Sequence, residues 1–444
     1  MPTHADRVLY RFWFMCRQPP RPGGPGTPRA AAWGRRPGGP VNSSPILEAH
    51  LRPDAPDLLD LPWAVPLEQW REHCSRVLDL ERGVSRHEVQ FVGYGARAWA
   101  IKRTSVHGAQ KEYATLADAE TRRMPSVRPA GWLVVRESGD ARAGMLVTEF
   151  LEGSLPYRTL FRARGLERYR DRLLDAMAGL FVRLHLAGFY WGDCSLSNTL
   201  FRRDAGELSA YLVDAETSEL HDTLSPGQRE QDLLILEENV AGEMADLVAS
   251  GEPPHPLDPW NTGRMIRERY QRLWHEVTRE EVVPAGEQWR VQERIRALNA
   301  LGFSVGEVEL LADPGGSRLR LRTIVTDGDY HRHRLHTLTG LSVEEHQAKQ
   351  MLNEVRELRA ELARASDRSV SLSAAAYRWQ RERFEPAIAR LAALGPHDDA
   401  ALAERYCQVL EHKWFLSERE QQDVGLDRAI EDYLRVMREA TRPS

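Results

Sequence analysis

Asp193 and Asn198 stand with four residues between them in "FYWGDCSLSNTLF" (Phe189–Phe201), a hydrophobic and hydroxyl-rich run that reads as a turn between a helix and a strand. Such a pair has two uses: it can tie down a turn by bonding its own backbone, or it can supply half of a metal-phosphate site. Transfer of a phosphoryl group from ATP needs a cover for the phosphates, a cation on them, acidic or amide oxygens for magnesium, and an acceptor for the hydroxyl proton. Each part has a candidate. In "GYG", Gly93 and Gly95 have no side chain to keep backbone amides from a phosphate, and Lys102 in "AIK" follows seven residues after Gly95. Glu112, ten residues on in the helix-like "QKEYATL", is chosen to hold that lysine, with Glu120 in reserve. Asp193 would accept or orient the hydroxyl, and Asn198 and Asp214, 16 residues apart, are the hard oxygen ligands that magnesium prefers.

These residues must be positioned by a chain of 444 residues, long enough for two or three domains. Its net charge of −5 carries no basic excess, so no nucleic-acid partner is expected. Four cysteines without C-x-x-C spacing argue against a disulfide framework or a structural zinc site and point to a reducing, cytoplasmic compartment. No apolar run approaches the roughly 18 residues of a spanning helix. The opening "RVLYRFWFMCRQ" is short, is broken by Arg11 and lacks a small-residue cleavage site, so no signal peptide is expected. From Pro19 to Pro40 the chain is dominated by Pro, Gly and Arg and cannot bury a core.

The spacing predicts a disordered extension over 1–57, a small β-rich lobe over 58–150, a helical lobe over 151–277 and a mostly helical α+β C-terminal domain over 278–444. In the first lobe, Glu88–Arg103 reads as a hairpin with a glycine turn. "WLVVRES" and "GMLVTEFLEG" read as strands around Gly139. In the second, Leu173, Met177, Leu180, Phe181 and Leu184 form one helical stripe that Gly188 can end. In the last, "SVGEVELLAD" and "SRLRLRTIVT" read as paired strands, and Met351, Val355, Leu358 and Leu362 as a helix seam within the domain.

The order Gly-x-Gly, Ala-Ile-Lys, a helical Glu, "HLAGFYWGDCSLSNTLF" and "LVDAE" resembles the protein-kinase-like superfamily. Within it the chain is most similar to the bacterial lipopolysaccharide kinase group, over about Glu88 to Asp246. The resemblance implies a bilobal protein-kinase-like fold of the α+β class with a catalytic Asp193, magnesium on Asn198 and Asp214, and nucleotide-binding Lys102 partnered by Glu112. It also implies an adenine-binding hinge in "TEFLEG" at Glu149 and Leu151. The implied activity is ATP- and magnesium-dependent phosphotransfer to a hydroxyl acceptor, a small molecule or glycolipid. The tail looks like an uncharacterised bacterial domain that accompanies such modules.

Two departures stand out. Trp191 occupies the position where relatives have a His that braces the loop, so that brace is expected to be missing. Ala215-Glu216 replaces Phe-Gly after Asp214, and no A-P-E segment follows, which argues against a long phosphorylated activation loop. These departures keep a second function in view, a catalytically weak or inactive nucleotide-binding scaffold. "DYHRHRLH" (His331, His333, His336) lacks a metal-binding carboxylate pattern and reads as a solvated, partly cationic helix start. Cys194 reads as a small loop filler.

Overall fold

The architecture is taken from a computed structural model that describes residues 45–80, 87–95, 97–137, 141–162, 167–251, 258–284, 287, 289–312, 318–394 and 399–441. It begins with an antiparallel sheet built from β1 (Ile46–Leu51), β2 (Val77–Leu78), β3 (Val89–Tyr94), β4 (Arg97–Thr104), β5 (Pro129–Arg136) and β6 (Arg142–Glu149), in the order β1-β5-β6-β4-β3-β2. Helix α1 (Val106–Thr121) crosses between β4 and β5 and starts at the Ser105 cap, whose side chain accepts from the Gly108 N–H. The extension expected through residue 57 is corrected here: Ile46–Leu51 is a strand that pairs with β5. Its residues are mostly exposed and carry no apolar alternation that would set it apart from the Pro-rich tract before it. The turn expected around Gly139 lies outside the described residues.

Period-two alternation decides what each face of this sheet does. Trp99 and Ile101 of β4 join Trp63, Trp70, Leu133 and Val147 in a cluster on one face. Lys102, one residue on, pairs in register with Leu146, which belongs to the α1 side. The helix comes close there because β6 has Gly144: a Cβ at that position would lie 2.3 Å from the Ser105 carbonyl oxygen.

The second lobe holds β7 (Ser154–Pro156), α2 (Tyr157–Arg162), α3 (Glu167–Leu186), β8 (Phe189–Tyr190), β9 (Thr199–Asp204), β10 (Glu207–Leu212), β11 (Glu219–Leu220), α4 (Pro226–Ala249) and α5 (Pro259–Thr278). The expected α3 stripe of Leu173, Met177, Leu180, Phe181 and Leu184 is fully packed into its core. Gly188 ends the helix at φ +77°, where a Cβ would lie 2.1 Å from the His221 carbonyl oxygen.

Just beyond residue 277 the chain still packs into the core of the second lobe. Strand β12 (Glu281–Pro284), helix α6 (Trp289–Ala300) and the pair β13 (Ser304–Ala312) and β14 (Arg318–Asp327) follow, and Leu298 and Phe303 are buried in the same cluster as α3 and α4. A distinct core forms from α7 (Tyr330–Thr339), α8 (Glu345–Ser366), α9 (Leu372–Trp379), α10 (Glu385–Leu391), α11 (Asp399–Glu420) and α12 (Leu426–Thr441). Met351, Val355 and Leu358 line it as the seam predicts. Among the described residues no helix is long and apolar enough to cross a membrane.

The β9–β10 hairpin anchors this helical domain to the second lobe. Buried Asp204 accepts from the His346 and Gln347 N–H groups at 3.0 and 2.8 Å, so its carboxylate sits at the N-terminus of α8. Arg203 beside it pairs with Glu404 of α11 at 3.0 Å, and both side chains are almost wholly buried. Removing one partner of a buried pair costs about 3 kcal/mol, so Glu404→Ala should lower unfolding stability by about that amount and loosen the helical domain first. Urea denaturation followed by tryptophan fluorescence, with hydrogen exchange across α8 and α11, checks this.

Candidate active site

The Lys102 ammonium donates to both Glu112 oxygens, at 3.2 and 2.9 Å, and to Asp214 Oδ2 at 2.7 Å. Strand β4 supplies the lysine, α1 supplies Glu112, and the segment after β10 supplies Asp214, so the group joins the two lobes. Glu120, the reserve choice, instead pairs with Arg52 and Arg128. Burial alone would lower the Lys102 pKa, but the charges of Glu112 and Asp214 outweigh it and raise it. Glu112 is fully buried and is pushed up to about 7, first by burial and then by the Asp214 charge. It also accepts a hydrogen bond from the Ala215 backbone.

Glu216 adds a further carboxylate. Its N–H donates to Asp214 Oδ1 at 3.1 Å, and its side chain lies 3.9 Å from the Lys102 ammonium and 3.2 Å from His87 Nε2. Asp214, Glu216 and His87 each offer an atom within 4.8 Å of the others, the one such group of three potential metal ligands among the described residues. Around a single lysine, Glu112, Asp214 and Glu216 therefore make an excess of carboxylate.

Asp193 and Asn198 do the first of the two things the sequence leaves open, bonding within their own turn. Asn198 Nδ2 donates to the Asp193 carbonyl at 2.9 Å, closing the turn, and that commits its nitrogen while leaving the amide oxygen to other donors or cations. Val213 donates to the Asn198 carbonyl at 3.1 Å, which lays this loop beside Asp214.

The missing brace is corrected. The Trp191 indole donates to the Asp214 carbonyl at 3.2 Å, so a different side chain links the two loops. The loop is held from below by residues that the sequence reading missed. Buried Asp232 of α4 accepts from the Trp191 and Gly192 N–H groups, both at 2.8 Å, and Cys194 Sγ donates to its carbonyl. His185 Nε2 lies 3.2 Å from the same carboxylate while its Nδ1 faces the Tyr270 hydroxyl at 2.8 Å. Burial holds this imidazole below its usual pKa, so it is neutral. About two and three turns further along α4, Asn239 donates to Asp193 Oδ1 at 3.3 Å and Glu243 accepts from Leu196 and Ser197 at 2.8 Å. Asp232, Asn239 and Glu243 recur at helical spacing among buried Leu233, Leu236, Val240 and Met244, a polar stripe on a core helix that could have flagged them. Cys194 is the buried loop filler expected, its thiol pKa pushed well up by burial.

The remaining predicted positions lie on the β-rich lobe. Gly93 is within β3, and Gly95 takes φ +64° at the hairpin turn with open space where a Cβ would be. Glu149 ends β6 with its carboxylate on Arg97 at 2.9 Å, and the Leu151 carbonyl accepts from Ser154. The "DYHRHRLH" stretch is not solvated throughout: His331 is buried and its Nδ1 meets Glu345 at 2.6 Å.

Comparison with known proteins follows the same division. Residues 95–249 match the lipopolysaccharide kinase (Kdo/WaaP) family. Residues 272–437 match a domain of unknown function, DUF4032. The resemblance seen in the motifs is thereby borne out. No curated protein matches the chain. Among solved structures, the WaaP in complex with acyl carrier protein is 15% identical, with 51% of this chain and 88% of that one covered at a TM-score of 0.32. A type VIII aminoglycoside-3'-phosphotransferase is 18% identical, with 47% and 91% covered and a TM-score of 0.32.

Two outcomes test this network. Asp232→Ala strips two buried N–H groups of their acceptor and should cost about 3 kcal/mol in urea denaturation. For Glu112, a folded-state pKa above the ordinary 4.5 means that the folded protein binds the proton more tightly. Its stabilising contribution is full below about 4.5 and is lost as pH rises through about 7. Nucleotide-free wild type should therefore lose about 3 kcal/mol relative to Glu112→Gln across that window; parallel stability–pH curves for the two proteins would rule this out.

Proposed function

We propose that the chain is an ATP- and magnesium-dependent phosphotransferase acting on a hydroxyl group, that of a small molecule or glycolipid. The observation that carries this reading is the Lys102 ammonium held at once by Glu112 and Asp214, because it puts the expected phosphate cation beside an expected metal ligand. The match to a kinase family over the same residues supports it. The donor set suits magnesium: carboxylate and amide oxygens, with more negative charge than Lys102 alone balances. Asn198 and Asp214 would hold the ion, whose chemistry is to neutralise charge on the transferring phosphate.

In this reading Lys102 exchanges part of its contact with Asp214 for phosphate oxygens, while Glu112 keeps it from swinging away. The open turn at Gly95, with Gly93 behind it, lets backbone amides cover the phosphates. Adenine would lie against backbone groups at Glu149 and Leu151. Asp193, its carboxylate steered by Asn239, would orient the acceptor hydroxyl and take its proton. The absence of an A-P-E segment makes a small acceptor the more natural one.

Glu216 favours a second reading, a nucleotide-binding scaffold, since its carboxylate stands 3.9 Å from the ammonium that the phosphates would need. One experiment separates the two. Wild type should turn over ATP, slowly with water and faster with a hydroxyl acceptor, and Asp193→Asn, Asp214→Asn and Lys102→Met should each lose roughly 10²-fold or more. Trp191→Phe should lose less, about tenfold, since it removes one hydrogen bond of about 1.4 kcal/mol behind Asp214. ATP binding seen in thermal shift, with equal background turnover in all variants, would leave the scaffold reading standing.

A further inference from the structure

A cavity of about 840 Å³ lies between the second lobe and the helical domain, and none of the residues assigned above to nucleotide, metal or catalysis lines it. Its walls come from the end of α1 and the loop after it, one face of α3, the β9–β10 hairpin, α7 and the segment leading into α8. The volume falls in the usual range for small-molecule sites, roughly 300–1,000 Å³.

The charges on this wall do not cancel evenly. Six carboxylates line it: Glu120, Asp175, Glu207, Asp329, Glu344 and Glu345. Each already meets an arginine or a histidine. Asp329 holds Arg183 at 3.0 Å and Arg332 at 3.3 Å, Glu344 holds Arg202 and the Tyr211 hydroxyl, and Glu345 takes His331. The other three pair with arginines as well. Left over are Arg123, His333 and His336. Arg123 Nη1 faces His333 Nε2 at 3.1 Å, and among the described residues no carboxylate contacts Arg123. Among the described residues the acid that His333 meets is Asp327, 3.8 Å from its Nδ1, and the contact made by His336 Nδ1 is with the Leu341 carbonyl, at 3.3 Å. On the same wall the buried Arg202 Nε has no hydrogen-bond partner. Arg123 also holds φ +56° just after α1, where glycine or asparagine is the usual occupant. A guanidinium and an imidazole facing each other into a cavity, with most of the nearby acids already committed elsewhere, make a place for an anion. Guanidinium forks suit phosphate in particular. Leu180, Leu273 and Phe303 give the wall an apolar part that a bare inorganic ion would not use.

We propose that this cavity binds a small phosphorylated organic molecule, its phosphate on Arg123, His333 and His336 and its carbon skeleton on Leu180, Leu273 and Phe303. A nucleotide and a sugar phosphate share that chemistry. Isothermal titration of the full chain without magnesium, using AMP, glucose 6-phosphate and inorganic phosphate in turn, distinguishes them. Saturable binding of AMP or of glucose 6-phosphate, tighter than inorganic phosphate by roughly tenfold or more, is the expected result. Arg123→Asn, which keeps a residue tolerant of positive φ, should weaken that binding roughly tenfold or more, and so should the double substitution His333→Asn with His336→Asn. Lys102→Met, in the other cleft, should leave it unchanged. If Arg123→Asn does not fold, the histidine pair carries the test on its own. The proposal is overturned if neither organic phosphate binds, if inorganic phosphate binds as tightly, if the cavity substitutions change nothing, or if Lys102→Met abolishes the signal.

Discussion

A lysine ammonium with 13% of its side chain exposed, pinned between two carboxylates, is the interaction on which the rest of the cleft depends. A buried charge persists only where partners replace its water, so three separate parts of the chain are constrained at once. Strand β4 must keep its register, because a slip of one residue would turn Lys102 into the Trp99 and Ile101 face. Helix α1 must lie close enough for Glu112 to reach across, which Gly144 permits. The segment after β10 must bring Asp214 up from the other lobe. Since Glu112 is itself deep and sits near Asp214, the arrangement is held together by the lysine and strained by its own excess of negative charge, a condition that an added cation relieves.

A second layer of constraint runs along α4. Loops that carry polar groups need their backbone donors satisfied, and here one helix does it with a stripe of side chains: Asp232 under Trp191 and Gly192, Asn239 under Asp193, and Glu243 under Leu196 and Ser197. Neutral His185, fixed by the Tyr270 hydroxyl, keeps Asp232 from being an unpaired buried anion. Trp191 then joins this supported loop to the Asp214 carbonyl. The indole offers a single N–H, and that one donor makes the link between the two loops.

Much of this was legible in the sequence, and what was not has physical reasons. Lys102, Glu112 and Asp214 could be found because chemistry confines them to short spacings around a glycine turn and a strand end. Asp232, Asn239 and Glu243 offer no such motif: Asp232 and Glu243 hold backbone amides some forty residues upstream, and only the spacing of the three polar residues along a core helix hints at them. Strand β1 was missed because its partner β5 lies far along the chain and its own residues are mostly exposed, leaving no apolar alternation. The packing just past residue 278 is hidden for the opposite reason: α6 and β13 look like a new unit in local pattern, yet Leu298 and Phe303 are buried against the preceding lobe. His331 reads as solvated because periodicity cannot show that Glu345, at the start of the next helix, returns to accept from it.

The helical domain is attached through polar contacts of high cost rather than through an apolar face. Asp204 lies wholly buried at the start of α8, and Arg203 next to it reaches Glu404 and Glu411 on α11. An apolar seam tolerates sliding, whereas a buried carboxylate on two helix N–H groups and a buried guanidinium on two acids have essentially one satisfactory arrangement. The hairpin that makes these contacts is also the one whose far end, through Val213 and Asn198, borders the cleft. A single two-stranded unit is thus fixed at one end by the helical domain and at the other by the loop that carries Asp193. Any displacement of the domain must therefore either break buried polar pairs or carry the hairpin with it, which makes the orientation of the helical domain a determinant of the cleft's geometry.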